Sequence, residues 1–228
     1  MKSFRKKIYI IIPAFNEEAA IQEVIEEVRK SGYENIIVVD DGSSDNTFQK
    51  ARESKVIVLR HKINRGKGAA AKTGIEAAKI MEAEVAVTMD ADGQHNSKDI
   101  QPMVELIEKG YDVVLGTRLR NPAGMPFYKI IANKIGNFFT WLAYGLWVTD
   151  SQSGFRAFSK RALDCIDTKT DRYEYDSEVI REIRRNKLKY IEIPIEVRYT
   201  EYSMGKKHKQ GLVNGLKTLY NIIWDLIA

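Results

Sequence analysis

The 228 residues carry 36 Lys and Arg against 31 Asp and Glu, a net charge of +5, with 44% hydrophobic and 29% charged residues. That balance excludes a disordered or fibrous chain and is too weakly basic to argue nucleic acid, while it suits anionic partners such as phosphates or acidic lipid surfaces. A solitary Cys165 excludes a disulfide framework and zinc-finger spacings, and the length suits one α/β domain with a single core.

The basic start, Met1 to Lys7, runs into an apolar stretch at 8–12 that meets Pro13 too soon for a signal-peptide core, so the chain is expected in the cytoplasm. Residues 8–12, 36–39, 56–59, 85–89 and 113–115 are short runs rich in Ile and Val, the pattern of buried parallel strands. Between the first two, Ile21, Val24, Ile25 and Val28 repeat at helical spacing and Gly32 follows as a stop; residues 69–81 supply a later helix. The half after Arg118 is less regular. Its segment 127–148 holds Phe138, Phe139, Trp141, Tyr144 and Trp147, but Lys129, Asn133, Lys134 and Asn137 interrupt a full span, so a place in a membrane interface is expected and a transmembrane helix is not. In the tail, Leu212, Leu216, Leu219, Ile223 and Leu226 form one helical stripe that suits packing on the domain, on a second subunit or on lipid.

In open α/β sheets ligands bind outside the carboxyl ends of the strands, and here those ends are polar. Pro13-Ala14-Phe15-Asn16-Glu17-Glu18 has neither the glycines of a dinucleotide fingerprint nor a Walker lysine, and it is not the Gly-rich basic loop of a nucleotidyltransferase. Asp40-Asp41-Gly42-Ser43 places carboxylates where a base or ribose can donate to them. Arg65-Gly66-Lys67-Gly68 combines cations with pliable backbone at a helix start, the makings of an anion cradle. Asp90-Ala91-Asp92 brings two hard oxygen ligands to a strand end, with Gln94 as a third, a set that suits Mg2+ or Mn2+ beneath a diphosphate. Beyond the fifth strand Arg118, Arg120, Lys129 and Lys134 add positive charge, followed by Asp150-Ser151-Gln152-Ser153-Gly154-Phe155-Arg156.

Taken together, residues 12–17, 39–43, 64–68, 90–94, 116–118 and 153–156 resemble the inverting family 2 glycosyltransferases, most closely those that use dolichol or polyprenol phosphate and transfer mannose or glucose. The resemblance implies a glycosyltransferase A-type fold, a Rossmann-like and mostly parallel sheet flanked by helices in a single domain. It implies that Pro13, Glu17, Asp40 and Asp41, with Phe15 in the same motif, line the nucleotide pocket. Asp90, Asp92 and Gln94 would surround the metal and sugar diphosphate, and Arg118 would face the acceptor. On this basis residues 1–120 form a nucleotide-sugar-binding half, 121–211 an acceptor-side half and 212–228 an amphipathic helix. The basic stretch Gly205-Lys206-Lys207-His208-Lys209 keeps the charge but not the wording of the lipid-phosphate enzymes, which leaves the acceptor open.

The expected reaction moves a hexose from a GDP-mannose or UDP-glucose type donor to a polyprenyl or dolichyl phosphate at the inner face of the membrane. A phosphate monoester is largely ionised at neutral pH and attacks unaided if cations such as Arg118, Lys134 and Arg156 position it. A sugar hydroxyl as acceptor, the first alternative, needs a carboxylate base, for which Asp150 and then Asp176 are the candidates. A non-catalytic nucleotide-sugar binder is the second.

Overall fold

The computed structural model describes residues 7–119, 127–172 and 174–198. Arg120, the basic stretch at 205–209 and the tail 212–228 lie outside them. Five strands form on the apolar runs: β1 (Ile8–Ala14), β2 (Ile36–Asp40), β3 (Ile57–Arg60), β4 (Val85–Thr88) and β5 (Val113–Thr117). Helices α1 (Ile21–Lys30), α2 (Thr47–Glu53), α3 (Lys67–Ile80) and α4 (Ile100–Glu108) connect them. Then come α5 (Phe127–Tyr144), β6 (Arg156–Ser159), α6 (Lys160–Cys165), α7 (Glu174–Arg185) and β7 (Tyr190–Pro194).

The strands make one seven-stranded sheet in the order β3-β2-β1-β4-β6-β5-β7. All neighbours run parallel except β6, which is antiparallel to both β4 and β5. This single reversal decides where the site lies. Arg156, the first residue of β6, pairs with Thr88 at the end of β4 and with Leu115 near the end of β5. The loop that precedes β6 is thereby delivered to the same edge as the carboxyl ends of the parallel strands.

Two apolar layers sandwich the sheet. Ile21, Val24, Ile25 and Val28 of α1 and Met103 and Val104 of α4 pack on Ile10, Ile12, Val38 and Val87 on one face. Ala70, Ala71 and Ile75 of α3 and Val179, Ile180 and Ile183 of α7 pack on Ile11, Ile37, Val39 and Ala86 on the other. The helix expected at 69–81 starts slightly earlier, which brings Lys67 into its first turn. Helix α2, β6 and β7 carry no clear signal in the sequence: β6 is four residues bounded by Arg156 and Ser159, too short for an alternation to register. Among the described residues, no helix is long and apolar enough to cross a membrane.

Candidate active site

Beyond β1, Asn16 adopts a left-handed conformation (φ 54°), which asparagine tolerates better than most side chains. Its amide donates to Ser43 Oγ at 2.9 Å, and its Oδ1 accepts from Ser44 N at 2.9 Å, so the β1 and β2 loops are tied together. Glu17 is buried and its amide donates to Thr47 Oγ1 at 2.7 Å. Pro13 and Phe15 remain half-buried at the rim.

Asp40 and Asp41, expected to accept bonds from a base or ribose, are instead turned into the protein. The Asp40 side chain has no exposure; Ser43 N donates to its Oδ1 at 3.2 Å, while Arg60 Nε stands 3.0 Å from its Oδ2 without being aligned to donate. Asp41 accepts from Arg65 N at 3.0 Å and Gly66 N at 2.7 Å and contacts His61 Nδ1 at 2.7 Å. Paired acids at a strand end are legible in a sequence; which way they face is not.

The expected anion cradle at α3 is likewise filled from within. Ala69 N donates to Asp171 O at 2.9 Å, and a Cβ on Gly66 (φ 115°) would stand 2.5 Å from that same carbonyl. Arg65 pairs at the surface with Asp171 at 3.1 Å. Lys67 is the cation that reaches the sheet edge: its Nζ lies 2.7 Å from Asp90 Oδ1, with the two side chains 27% and 31% exposed. Gly154 makes this possible, since a Cβ there would stand 2.4 Å from Lys67 Nζ and 2.8 Å from Asp90 Oδ1. Burial works against the charge on Lys67, but Asp90 and Asp176 outweigh it and hold its pKa above the usual lysine range. Burial likewise opposes ionisation of Asp90, and Lys67 overcomes it, leaving that carboxyl well below the usual range.

Asp92 behaves oppositely: burial, and then the nearby Asp90 charge, push its carboxyl up. Its Oδ1 accepts from Gln94 N at 3.0 Å, and Gln94 O accepts from Arg198 N at 2.8 Å. Two carboxylates that repel each other at the strand end suit a divalent cation. Among the described residues no group of three His, Cys, Asp or Glu side chains is arranged to hold a metal ion. Asp90 and Asp92 could supply two oxygen ligands to such a cation, with ligand oxygens or water in the other positions, as Mg2+ commonly has on phosphates.

His95 carried no signal in the sequence beyond its place five residues after Asp90. It is 3% exposed, stacks on Phe155 at 4.8 Å and accepts from Asp90 N through Nδ1 at 3.2 Å. Burial holds its pKa below the usual histidine range, consistent with a neutral ring that fixes the Asp90 main chain.

Arg118, at the end of β5, grips Asp150 through Nε (2.7 Å) and Nη2 (2.8 Å), and its backbone N donates to Oδ2 at 3.0 Å. The Asp150 side chain has no exposure and that of Arg118 is 23% exposed. Asn137 explains one interruption in the aromatic segment: it faces inward from α5, and its Oδ1 accepts from Ser151 N and Oγ, both at 2.9 Å. Arg156, expected at an acceptor phosphate, is 2% exposed and donates to the carbonyls of Ser153, Ser151 and Asp176. It builds the loop wall and does not face solvent. Asp176 stands 3.3 Å from Arg156, and burial raises its carboxyl. Lys134 is exposed on α5.

The sheet edge thus gathers Lys67, Asp90, Asp92 and Arg118 beside the β1 and β2 loops, with acidic and basic side chains together. Residues 9–167 match the model of glycosyl transferase family 2, and the chain belongs to that family. It is a glycosyltransferase. It is 40% identical over 241 residues to the UDP-N-acetylglucosamine–dolichyl-phosphate N-acetylglucosaminyltransferase of Methanococcus voltae, covering 96% of this chain and 95% of the relative. It is 28% identical over 233 residues to the dolichol-phosphate mannosyltransferase of Pyrococcus furiosus, covering 96% and 64%. The fold is shared with glucosyl-3-phosphoglycerate synthase from Mycobacterium tuberculosis, solved with Mn2+, UDP and glucosyl-3-phosphoglycerate (TM-score 0.70, 18% identity, 97% of this chain and 79% of that one).

Proposed function

We propose that the enzyme transfers a sugar from a nucleotide diphosphate donor, with a UDP-N-acetylhexosamine as the first candidate, to a polyprenyl or dolichyl phosphate. The single observation that carries the acceptor is the state of the two carboxylates a hydroxyl acceptor would need as base. Asp150 is clamped by Arg118 and Asp176 lies beside Arg156, both buried. A phosphate oxygen needs no base. It attacks the anomeric carbon as the bond to the diphosphate breaks, and the nucleoside diphosphate leaves with both electrons of that bond.

In this reading Pro13, Phe15 and Glu17 border the nucleotide, Asp40 and Asp41 shape its pocket from beneath, and Asp92 with Asp90 holds Mn2+ or Mg2+, with Gln94 alongside. The cation neutralises charge on the departing diphosphate. Lys67 stands ready to serve the same oxygens, and Arg118, oriented by Asp150, meets the acceptor phosphate. Lys134 extends that positive charge along α5. The structural relative solved with Mn2+, and also with Mg2+ and UDP, supports a divalent cation. An N-acetylhexosamine is put ahead of the mannose or glucose type expected from sequence because the Methanococcus voltae relative, matched over nearly the whole chain, is named for N-acetylglucosamine.

A lipid acceptor places the enzyme at a membrane surface. Helix α5 and the turn after it expose Ile135, Phe138, Trp141, Leu142 and Trp147, at 40% to 54% each, as an apolar and aromatic strip. We assign this strip to peripheral membrane contact. The test of the reaction is release of nucleoside diphosphate. It should require both polyprenyl phosphate and manganese or magnesium, and vanish in Asp92→Ala while the melting temperature stays near wild type. Release that ignores the lipid, or survives in Asp92→Ala, contradicts the assignment.

A further inference from the structure

His61, the first residue after β3, takes no part in the chemistry above, yet its side chain is only 10% exposed and both ring nitrogens are engaged. Nδ1 stands 2.7 Å from Asp41 Oδ1 and Nε2 stands 2.9 Å from Thr73 Oγ1. A carboxylate has no proton to give, so Nδ1 carries it, and in the neutral ring the Thr73 hydroxyl donates to Nε2. Asp41 in turn accepts from the amides of Arg65 and Gly66 at 3.0 and 2.7 Å. Those two peptides immediately precede Lys67, and Thr73 lies on the same helix. The chain of contacts runs from α3 through Thr73 and His61 to Asp41, and back to the first turn of α3.

We infer that His61 is a positioning residue for the donor site: it orients the Asp41 carboxylate, which holds the Arg65–Gly66 peptides and so aims Lys67 at Asp90. The inference rests on the proposed reading of Lys67 and Asp90 as the diphosphate end of the donor site. Two features of the loop make the aim exacting. Gly66 has φ 115° and a Cβ there would stand 2.5 Å from the Asp171 carbonyl oxygen, and a Cβ on Gly42 would stand 2.6 Å from the Ile63 carbonyl carbon, so the backbone is closely approached at these two points although the side chains of 62–65 are exposed.

A pair of substitutions separates this role from mere filling of space. The side-chain nitrogen of asparagine falls where Nδ1 of histidine stands, and that of glutamine falls near Nε2. His61→Asn therefore keeps the donor to Asp41, and His61→Gln keeps only a partner for Thr73. Two measurements apply to wild type and both variants: hydrogen exchange at the Arg65 and Gly66 amides in the ligand-free protein, and calorimetric binding of UDP and of GDP, each with manganese. His61→Asn should match wild type in both. His61→Gln should exchange those two amides faster and bind the nucleoside diphosphate on the order of tenfold more weakly, at a similar melting temperature. Equal behaviour of the two variants, or faster exchange without weaker binding, overturns the inference and leaves the donor site standing. Wild-type protein that binds neither nucleotide overturns the donor-site reading, and the inference with it.

Discussion

Replacing Lys67 by methionine removes the cation 2.7 Å from Asp90 Oδ1 while keeping most of the apolar stem. A charge-assisted hydrogen bond contributes about 1.5–3 kcal/mol, and breaking a fully buried pair costs about 3–5 kcal/mol. Here the side chains are 27% and 31% exposed, so solvent screens the orphaned carboxylate and the lower end applies, about 2 kcal/mol. For a domain of this size that is a fall in Tm of roughly 4–8 °C by scanning calorimetry. The pH dependence follows from the directions of the two shifts. Asp90 is depressed in the folded state, so its contribution is present above the ordinary carboxylate range and is lost as pH falls through its lowered value. Lys67 is raised, so its contribution is present below the ordinary lysine range and is lost only as pH rises through its raised value. The gap between wild type and Lys67→Met should be flat from about pH 5 to about pH 9 and narrow on further acidification. Manganese should raise the Tm of the variant more than that of wild type, because Asp90 Oδ1 is then free of its Lys67 ion pair. A variant that melts with wild type across this range refutes the pairing as an energetic feature.

Arg118→Lys loses the two-pronged hold on Asp150 and should raise the KM for polyprenyl phosphate on the order of tenfold with the donor KM unchanged. Arg156→Met strands three main-chain carbonyls and should lower Tm on the order of 10 °C. Asp176→Asn should change Tm far less, since the Asp176 carboxyl is already raised by burial and its ionised form adds little stability. Trp141→Ser with Trp147→Ser should weaken binding to polyprenyl-phosphate-containing anionic vesicles about tenfold in sedimentation assays, with transfer to a short-chain, water-soluble polyprenyl phosphate unaffected.

The strand-end loops were legible because Ile and Val runs announce buried strands and the Asp, Asn and Gly residues stand immediately after them. What lay beyond reach was orientation. Asp40 and Asp41 occupy the right edge but turn inward: the β3–α3 loop donates to Asp41 and the Arg60 charge stands beside Asp40, which sequence neighbourhood does not reveal. The orientation of Arg156 is equally hidden from sequence: it is buried and donates to the carbonyls of Ser151, Ser153 and Asp176. The Lys67–Asp90 pair joins residues 23 positions apart in sequence, and Gly154, which makes room for it, comes from the loop before the reversed strand. Both were read as parts of separate motifs. His61 and His95 are silent in sequence because a lone histidine carries no period; His95 follows Asp90 by five residues, whereas the partner of His61, Asp41, is 20 positions away.

Transfer to a lipid phosphate leaves a product whose mass identifies both donor sugar and acceptor. The protein would be incubated with manganese, polyprenyl phosphate and, separately, UDP-N-acetylglucosamine, UDP-glucose and GDP-mannose. The expected product is a polyprenyl monophosphate bearing one sugar, formed fastest from UDP-N-acetylglucosamine. Donor turnover with the lipid left unmodified under all three conditions would contradict it.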